Sequence, residues 1–469
     1  MTPTPERDSA ARILSELGAG RISCAELMGI TLDRIAAVNE TVNAIVALRD
    51  PDDLLASARA ADAVPAAQRG PLHGLPIAVK DLVNVSGIVT SQGSPIFRDA
   101  VAGADDIVAA RMRAAGAILI GKTNVPEFGL GSHTFNPVYG ATANPYDPAR
   151  SCGGSSGGAA VALATGMVAL ADGSDMMGSL RNPAAWNNVY GFRPSWGRVP
   201  PEPQGDTFLH QLATLGPMAR SPGDIAILLD VMSGRDARQP HGMDCAAVSP
   251  LEGAEMKGRR IGWLGDWGGA FAMEQGLMER AEAALRVFED LGAHVEPVAP
   301  PFDAGAIWQS WIDLRSWAVA AALSPLMTRK AQLKDSAIWE IERGQAMSAM
   351  QVHSASVIRS GWFARAAALF DDYDALVLPA AQVWPFDMTL PWPQEIAGHA
   401  MDTYHRWMEV VVPVSLIGLP CLALPAGFGA AGLPAGVQMF TRRGSDAALL
   451  ALGAAYHAAT GWPQERPAM

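Results

Sequence analysis

Residues 151–184, SCGGSSGGAAVALATGMVALADGSDMMGSLRNPA, constrain this chain more than any other stretch. Two clusters of small hydroxylated side chains, Ser155/Ser156 and Ser174/Ser179, bracket an uncharged, alanine-rich segment of helical length, residues 159–171. The spacing predicts a helix-like spacer that holds two Gly/Ser loops in a fixed relation. Glycine pairs on either side of Ser155 and Ser156 free the backbone for conformations that side chains forbid. Two loops held in this way form a suitable floor for a hydrolase active site.

The rest of the chain must build a core around that floor. Of 469 residues, 49 % are hydrophobic and 17 % charged, which argues against disorder. Length alone suggests two or three domains, but no linker or low-complexity stretch divides the chain, so residues 1–469 read as one large domain with insertions. A net charge of −12 without any Lys/Arg run argues against nucleic acid or anionic membrane as a partner. Cys24, Cys152, Cys245 and Cys421 are widely spaced, so neither a disulfide framework nor a zinc site is expected. Cys152, beside the first loop, reads as a small buried thiol rather than a nucleophile. The N-terminus lacks a secretory pattern, which suggests a cytoplasmic protein. Residues 410–440 carry no charge, yet Pro413, Pro420, Pro425, Pro434 and five glycines would interrupt a membrane-spanning helix. Short buried strands with turns fit better.

In chain order, residues 9–43 read as helices, with Ser23 and Glu26 as a capping box, and residues 1–65 as a helical segment packed on the main body. Residues 75–79 read as a strand that ends at Lys80, 108–115 as a helix and 117–120 as a strand. This alternation predicts an α/β protein. After a turn-rich section comes a helix over 224–232, capped by Ser221 with Pro222 at its first position. A strand over 260–264, a helix over 274–291 and a strand over 295–298 follow. Eight of the thirteen tryptophans fall in residues 303–408, which read as several helices and a Pro-rich loop. This is a variable insertion, either an amphipathic helical layer or the lining of an apolar substrate cavity. Strands over 416–428 and 436–440 and a helix over 445–460 close the chain.

What the serine loops can do depends on a base. A phosphate-cradling P-loop is excluded because Gly158 is followed by Ala159 rather than Lys. Residues 153–157 fit G-x-S-x-G, which would make Ser155 the nucleophile of a Ser/His/Asp hydrolase. Alternatively Ser179 attacks, and backbone N–H groups of Met176, Met177 and Gly178 meet the oxyanion. The base is then one of nine histidines or Lys80. Five lysines stand against thirty arginines among the 35 basic residues. A chain that prefers Arg keeps Lys where a proton has to be lost, since Arg stays charged at working pH. Lys122, which also ends an apolar run, is the internal control; either lysine could simply be a snorkelling strand-end cation.

At this point the blocks resemble the amidase signature family. LHGLPIAVKD (72–81), GGSSGGA (153–159), GSDMMGSLRNPA (173–184), GFRPSWGRV (191–199), GPMAR (216–220) and GLPCLALPAG (418–427) succeed one another as that family's blocks do. Lys80 and Ser155 are 75 positions apart, Ser155 and Ser179 24. The resemblance implies an α/β/α sandwich with a large mixed central sheet, no metal or other cofactor, a small-molecule substrate, and a monomer or homodimer. It further implies Ser179 as nucleophile, Ser155 as relay after a cis Gly154–Ser155 peptide, and Lys80 as base. The amides of Met176, Met177, Gly178 and Ser179 would form the oxyanion hole, with Ser156, Asp175 and Arg181 holding the loops. Amides, esters, anilides and carbamates are all within such chemistry. The transamidating, A-type component of a glutamine-dependent amidotransferase shares the signature and is the alternative.

For this role Lys80 must be largely neutral near pH 7 to 8. Lowering a lysine from about 10.4 to about 7.5 costs roughly 4 kcal/mol, which burial away from carboxylates could supply, so Asp81 must point elsewhere. One departure stands out: the family commonly has Gly-Gly before the nucleophile, and this chain has Met177-Gly178 after Met176. Met176 or Met177 is expected to narrow the acyl side of the site. With the Trp-rich region, they favour a neutral apolar or aryl substrate.

Overall fold

Short apolar runs bounded by Gly and Pro become strands, and the computed structural model, which describes residues 3–469, gathers them into two main sheets. The small sheet holds β1 (Ile45–Val46), β2 (Pro76–Lys80) and β3 (Ile118–Thr123), with β3 in the middle, antiparallel to β1 and parallel to β2. The large sheet has eight strands: β4 (Leu170–Asp175), β5 (Tyr190–Arg193), β6 (Thr214–Ala219), β7 (Arg260–Trp263), β8 (His294–Pro297), β9 (Ala375–Pro379), β10 (Cys421–Phe428) and β11 (Pro434–Phe440). Their spatial order is β8-β7-β9-β11-β10-β5-β6-β4. The pairs β8/β7 and β7/β9 are parallel and the other five antiparallel, so the sheet is mixed.

Side-chain alternation on the strands divides the interior in two. On β9, Val377 joins one apolar cluster while Leu376 and Leu378 join the other. Helices Pro222–Met232, Leu277–Asp290 and Asp446–Thr460 cover the first face, and Arg181–Trp186 with Ala304–Leu323 and Ala349–Leu369 the second. The result is an α/β/α sandwich. The small sheet packs through β2 against β4, the edge strand of the large one. The N-terminal helices Ala10–Gly18 and Cys24–Val42 join the first cluster, and the Ser23/Glu26 capping box forms.

Three expectations change. The spacer 159–171 is not one helix: Gly157–Ala164 is helical, Gly166 turns with φ +72°, and the chain enters β4 at Leu170. A buried run without a polar face has no period to separate helix from strand. The turn-rich section before residue 224 contains β5 and β6, in the large sheet. Their glycines hid them: a Cβ on Gly191 would lie 2.0 Å from Leu180 O, and on Gly216 2.1 Å from Phe192 O, so each glycine marks a close backbone approach. Finally, residues 303–408 are more than an insertion, because β9 lies between β7 and β11. Its five residues are all buried, so no alternation of polar and apolar side chains separates them from the helical pattern around them.

Among the described residues no helix is long and apolar enough to cross a membrane. The uncharged stretch 410–440 instead supplies the helix Val412–Ile417 and the buried strands β10 and β11.

Candidate active site

Packing of β2 against β4 decides where Lys80 goes. The Lys80 backbone N–H donates to Asp172 Oδ1 at 2.8 Å, and its fully buried side chain reaches the first serine loop. There Nζ lies 2.9 Å from Ser155 Oγ, 2.8 Å from Ser156 Oγ and 3.0 Å from Ser174 Oγ. Burial lowers the Lys80 pKa to about 7, against the opposing pull of Asp172 and Asp175. The carboxylates are therefore nearer than expected, but desolvation outweighs them. Asp81 does point away, accepting from Ser91 Oγ at 2.6 Å.

Lys122 shows why burial alone identifies nothing. It too is fully buried, and burial lowers it to about 8. Its ammonium is taken up by Val83 O and Thr90 Oγ1, with no serine loop in reach. Contact with Ser155 separates the two lysines.

The glycines of the first loop serve close approach more than unusual dihedrals. Only Gly153 among the four has positive φ, at +77°. A Cβ on Gly157 would lie 2.2 Å from Thr134 Oγ1, and on Gly158 2.3 Å from Asn124 N. The helix Gly157–Ala164 thus abuts the end of β3, which is hydrogen-bonded to the strand carrying Lys80. The Gly154–Ser155 peptide is cis. Cys152 is buried, and burial pushes its thiol up to about 12, leaving it protonated.

The second loop is organised by Asp175 at the end of β4. This carboxylate is fully buried between Arg181 Nε at 2.9 Å and Arg193 Nη1 at 3.1 Å, which hold it well below the usual carboxylate range. It also accepts from the amides of Gly178 at 2.8 Å and Leu180 at 3.2 Å. Gly178 was expected in the oxyanion hole, but its N–H is therefore already engaged. Among the described residues, the amides of Met176, Met177 and Ser179 bond no protein acceptor. Gly178 has φ +75°, whereas Met177 does not take positive φ. Only the second position of the family's Gly-Gly needs glycine here, and that tolerance admits Met177.

Ser155, Ser174, Met176, Met177 and Ser179 line one cavity of about 150 Å³. Ser179 is 6 % exposed, and no hydrogen bond joins its Oγ to Ser155 Oγ in this arrangement. Residues that the sequence did not single out complete the wall, notably Leu130, Arg315, His405 and Met408. Of the region's tryptophans only Trp407 reaches this cavity; Trp308, Trp311 and Trp362 are core. Nothing in the local pattern separated them. A larger groove of about 540 Å³, bounded by Trp196, His241 and Arg359, contains neither Lys80 nor the two serines. Among the described residues no histidine bonds Ser155: His133, the nearest in sequence, pairs with Ser151 Oγ at 2.8 Å and Met388 O at 2.9 Å.

The cavity thus gathers a serine bonded to a buried lysine, a second serine and open amides. The Amidase family model matches residues 26–450. The chain belongs to the amidase family. As an amidase it is 31 % identical to an acylamidase of Rhodococcus erythropolis, over 98 % of this chain and 97 % of that protein. It is 34 % identical to the A-type component of a glutamyl-tRNA(Gln) amidotransferase of Chloroflexus aurantiacus, over 96 % of each. Among solved structures, a bacterial aryl acylamidase of the amidase signature family superposes with a TM-score of 0.91 at 29 % identity, covering 99 % of this chain and all of that one.

Proposed function

We propose that this amidase cleaves amides of neutral, apolar or aryl small molecules through an acyl-enzyme on Ser179, with Ser155 as relay and Lys80 as base. Anilides, esters and carbamates fall within the same chemistry. The observation that carries the reading is the 2.9 Å contact between Lys80 Nζ and Ser155 Oγ at the wall that Ser179 shares.

Neutral Lys80 takes the Ser155 proton as Ser155 takes that of Ser179. Ser179 Oγ then bonds the substrate carbonyl carbon, and the amides of Met176, Met177 and Ser179 are the donors for the resulting oxyanion. Collapse breaks the C–N bond, and the relay returns the proton to the departing amine. Water, deprotonated by the same relay, hydrolyses the acyl-enzyme. Met176 and Met177 narrow the acyl side, and Ser156 and Ser174 hold the Lys80 amine toward Ser155. Asp175 and Arg181 fix the loop.

A panel of p-nitroanilides, esters and carbamates tests this, with Ser179→Ala as control. Activity on the panel should vanish in the variant, and a fluorophosphonate should label Ser179. Label on Ser155 alone, or full activity without Ser179, defeats the mechanism.

The 34 % identity to an amidotransferase component supports a second reading, in which glutamine is the amide donor. Arg315, the cation on the cavity wall, is already paired with Glu340 at 2.6 Å, leaving its charge unavailable to a glutamine carboxylate. Ammonia release from glutamine should be undetectable; robust release would favour this second reading.

A further inference from the structure

The cavity has a polar end that the hydrolytic chemistry does not use. Arg315 and His405, 3 % and 2 % exposed, both line it. Arg315 Nε donates to Glu340 Oε1 at 2.6 Å and Nη2 to Tyr404 Oη at 2.8 Å. Nη1, however, has only Met176 Sδ, at 3.2 Å. A thioether is a weak acceptor, so a buried guanidinium N–H is left poorly satisfied at the wall of a substrate cavity.

His405 repeats the pattern. Its Nδ1 meets Thr403 Oγ1 at 2.8 Å, and Nε2 is buried without a hydrogen-bond partner, 3.6 Å from Glu340 Oε1. Burial lowers its pKa against the opposing pull of Glu340. In the tautomer in which Thr403 donates to Nδ1, Nε2 carries the proton and is a second donor. Glu340 accepts from Ser316 Oγ at 2.7 Å and Tyr404 Oη at 2.8 Å as well as from Arg315. The Arg315 charge is therefore already balanced inside the protein, and a carboxylate added here would bring an uncompensated buried charge.

Building on the acyl-enzyme reading above, we infer that Arg315 and His405 form a subsite for a neutral acceptor oxygen, a second carbonyl, ester or ether, carried a few bonds from the scissile carbonyl. Met176 caps this subsite in the free enzyme. A substrate oxygen displaces Sδ and takes the Nη1 proton, a charge-assisted hydrogen bond replacing a weak one. This gives Met176 a role beyond narrowing: it covers Arg315 until a polar substrate arrives.

The test compares isosteres. The p-nitroanilides of 4-oxopentanoic and 5-oxohexanoic acids are set against those of 4-methylpentanoic and 5-methylhexanoic acids, with the succinyl and glutaryl anilides as charged counterparts. For wild type, kcat/KM should favour the ketone over its methyl isostere about tenfold at one chain length or both, with the carboxylates slowest. The double variant Arg315→Met/Glu340→Gln, which removes both charges together, should bring that ratio to about one. Met176→Leu, which removes the competing sulfur, should keep or raise it.

A wild-type ratio of one at both lengths overturns the inference. So does a preference for the carboxylates, an unchanged ratio in the double variant, or a ratio lost in Met176→Leu. Should the double variant fail to fold, the wild-type ratios and Met176→Leu still decide. The parent reading is judged separately on the methyl isosteres: their hydrolysis has to depend on Ser179. If it does and the ketones gain nothing, only the subsite falls. If no anilide is cleaved, the subsite falls, and the parent reading falls with it only if esters and carbamates also resist hydrolysis.

Discussion

In the proposed mechanism Lys80 couples the amidase to pH through one buried amine. Its pKa is lowered to about 7 by burial, and only the neutral amine can accept the Ser155 proton. Protonation on the acid side therefore removes the base. The log of kcat/KM should rise from about pH 6, bend near the Lys80 pKa and flatten by about pH 8. Lys80→Arg keeps the charge but cannot release a proton, and should lower kcat by about 10³-fold with no recovery at high pH. A pH–rate profile of both proteins checks this; an acid limb near pH 4, where burial sets the His133 imidazole, would instead indicate a histidine base.

Two loops and a short helix translate that chemistry into geometry. The helix Gly157–Ala164 approaches β3 so closely that Gly158 leaves no space for a methyl group beside Asn124 N and Ala44 O. Gly158→Ala should push the first loop away from the sheet carrying Lys80 and lower kcat/KM at least about tenfold, since small misplacements of a proton relay are costly. Steady-state kinetics beside a thermal melt separate this from unfolding. The second loop depends on Asp175, which joins Arg181, Arg193 and two turn amides in full burial. Asp175→Asn strands two buried guanidinium groups, so urea denaturation should show a loss of about 3–5 kcal/mol.

Distant parts of the chain meet in the core through single polar anchors. Buried Arg220 on the strand-to-helix corner after β6 donates to Leu163 O and Val168 O at 3.0 Å, Pro5 O at 2.6 Å and Asp8 O at 2.7 Å. Asp224, one turn on, accepts from Ala10 and Ala11 at the start of the first helix, both at 3.0 Å. These bonds tie the N-terminal segment to the exit of the active-site helix. Arg220→Met should leave three buried carbonyls, Pro5 O, Asp8 O and Val168 O, without a donor and destabilise the protein by at least about 3 kcal/mol. Hydrogen exchange should show lost protection over residues 10–18 first, because that helix keeps only its Asp224 anchor while the sheet keeps its own ladder.

Much of the candidate site was legible because small residues, lysine scarcity and block order are local facts. Lys80, Ser155, Ser179 and the paired Asp175 and Arg181 could be named from residue chemistry and the resemblance, and the elements with caps, such as the Ser221-capped helix, fell close to their observed ends. What stayed hidden has a common cause. β5, β6 and β9 are short and take their stability from neighbours far along the chain, so no periodicity marks them. The engagement of Gly178 by Asp175, the approach of Asp172 to Lys80, and the meeting of Arg315, His405 and Met176 are contacts between distant or differently folded segments. The order of residues supplied the reactive groups. Burial and close packing, which exist only once the sheets and helices meet, determined which lysine bonds a serine and which side chains line the cavity.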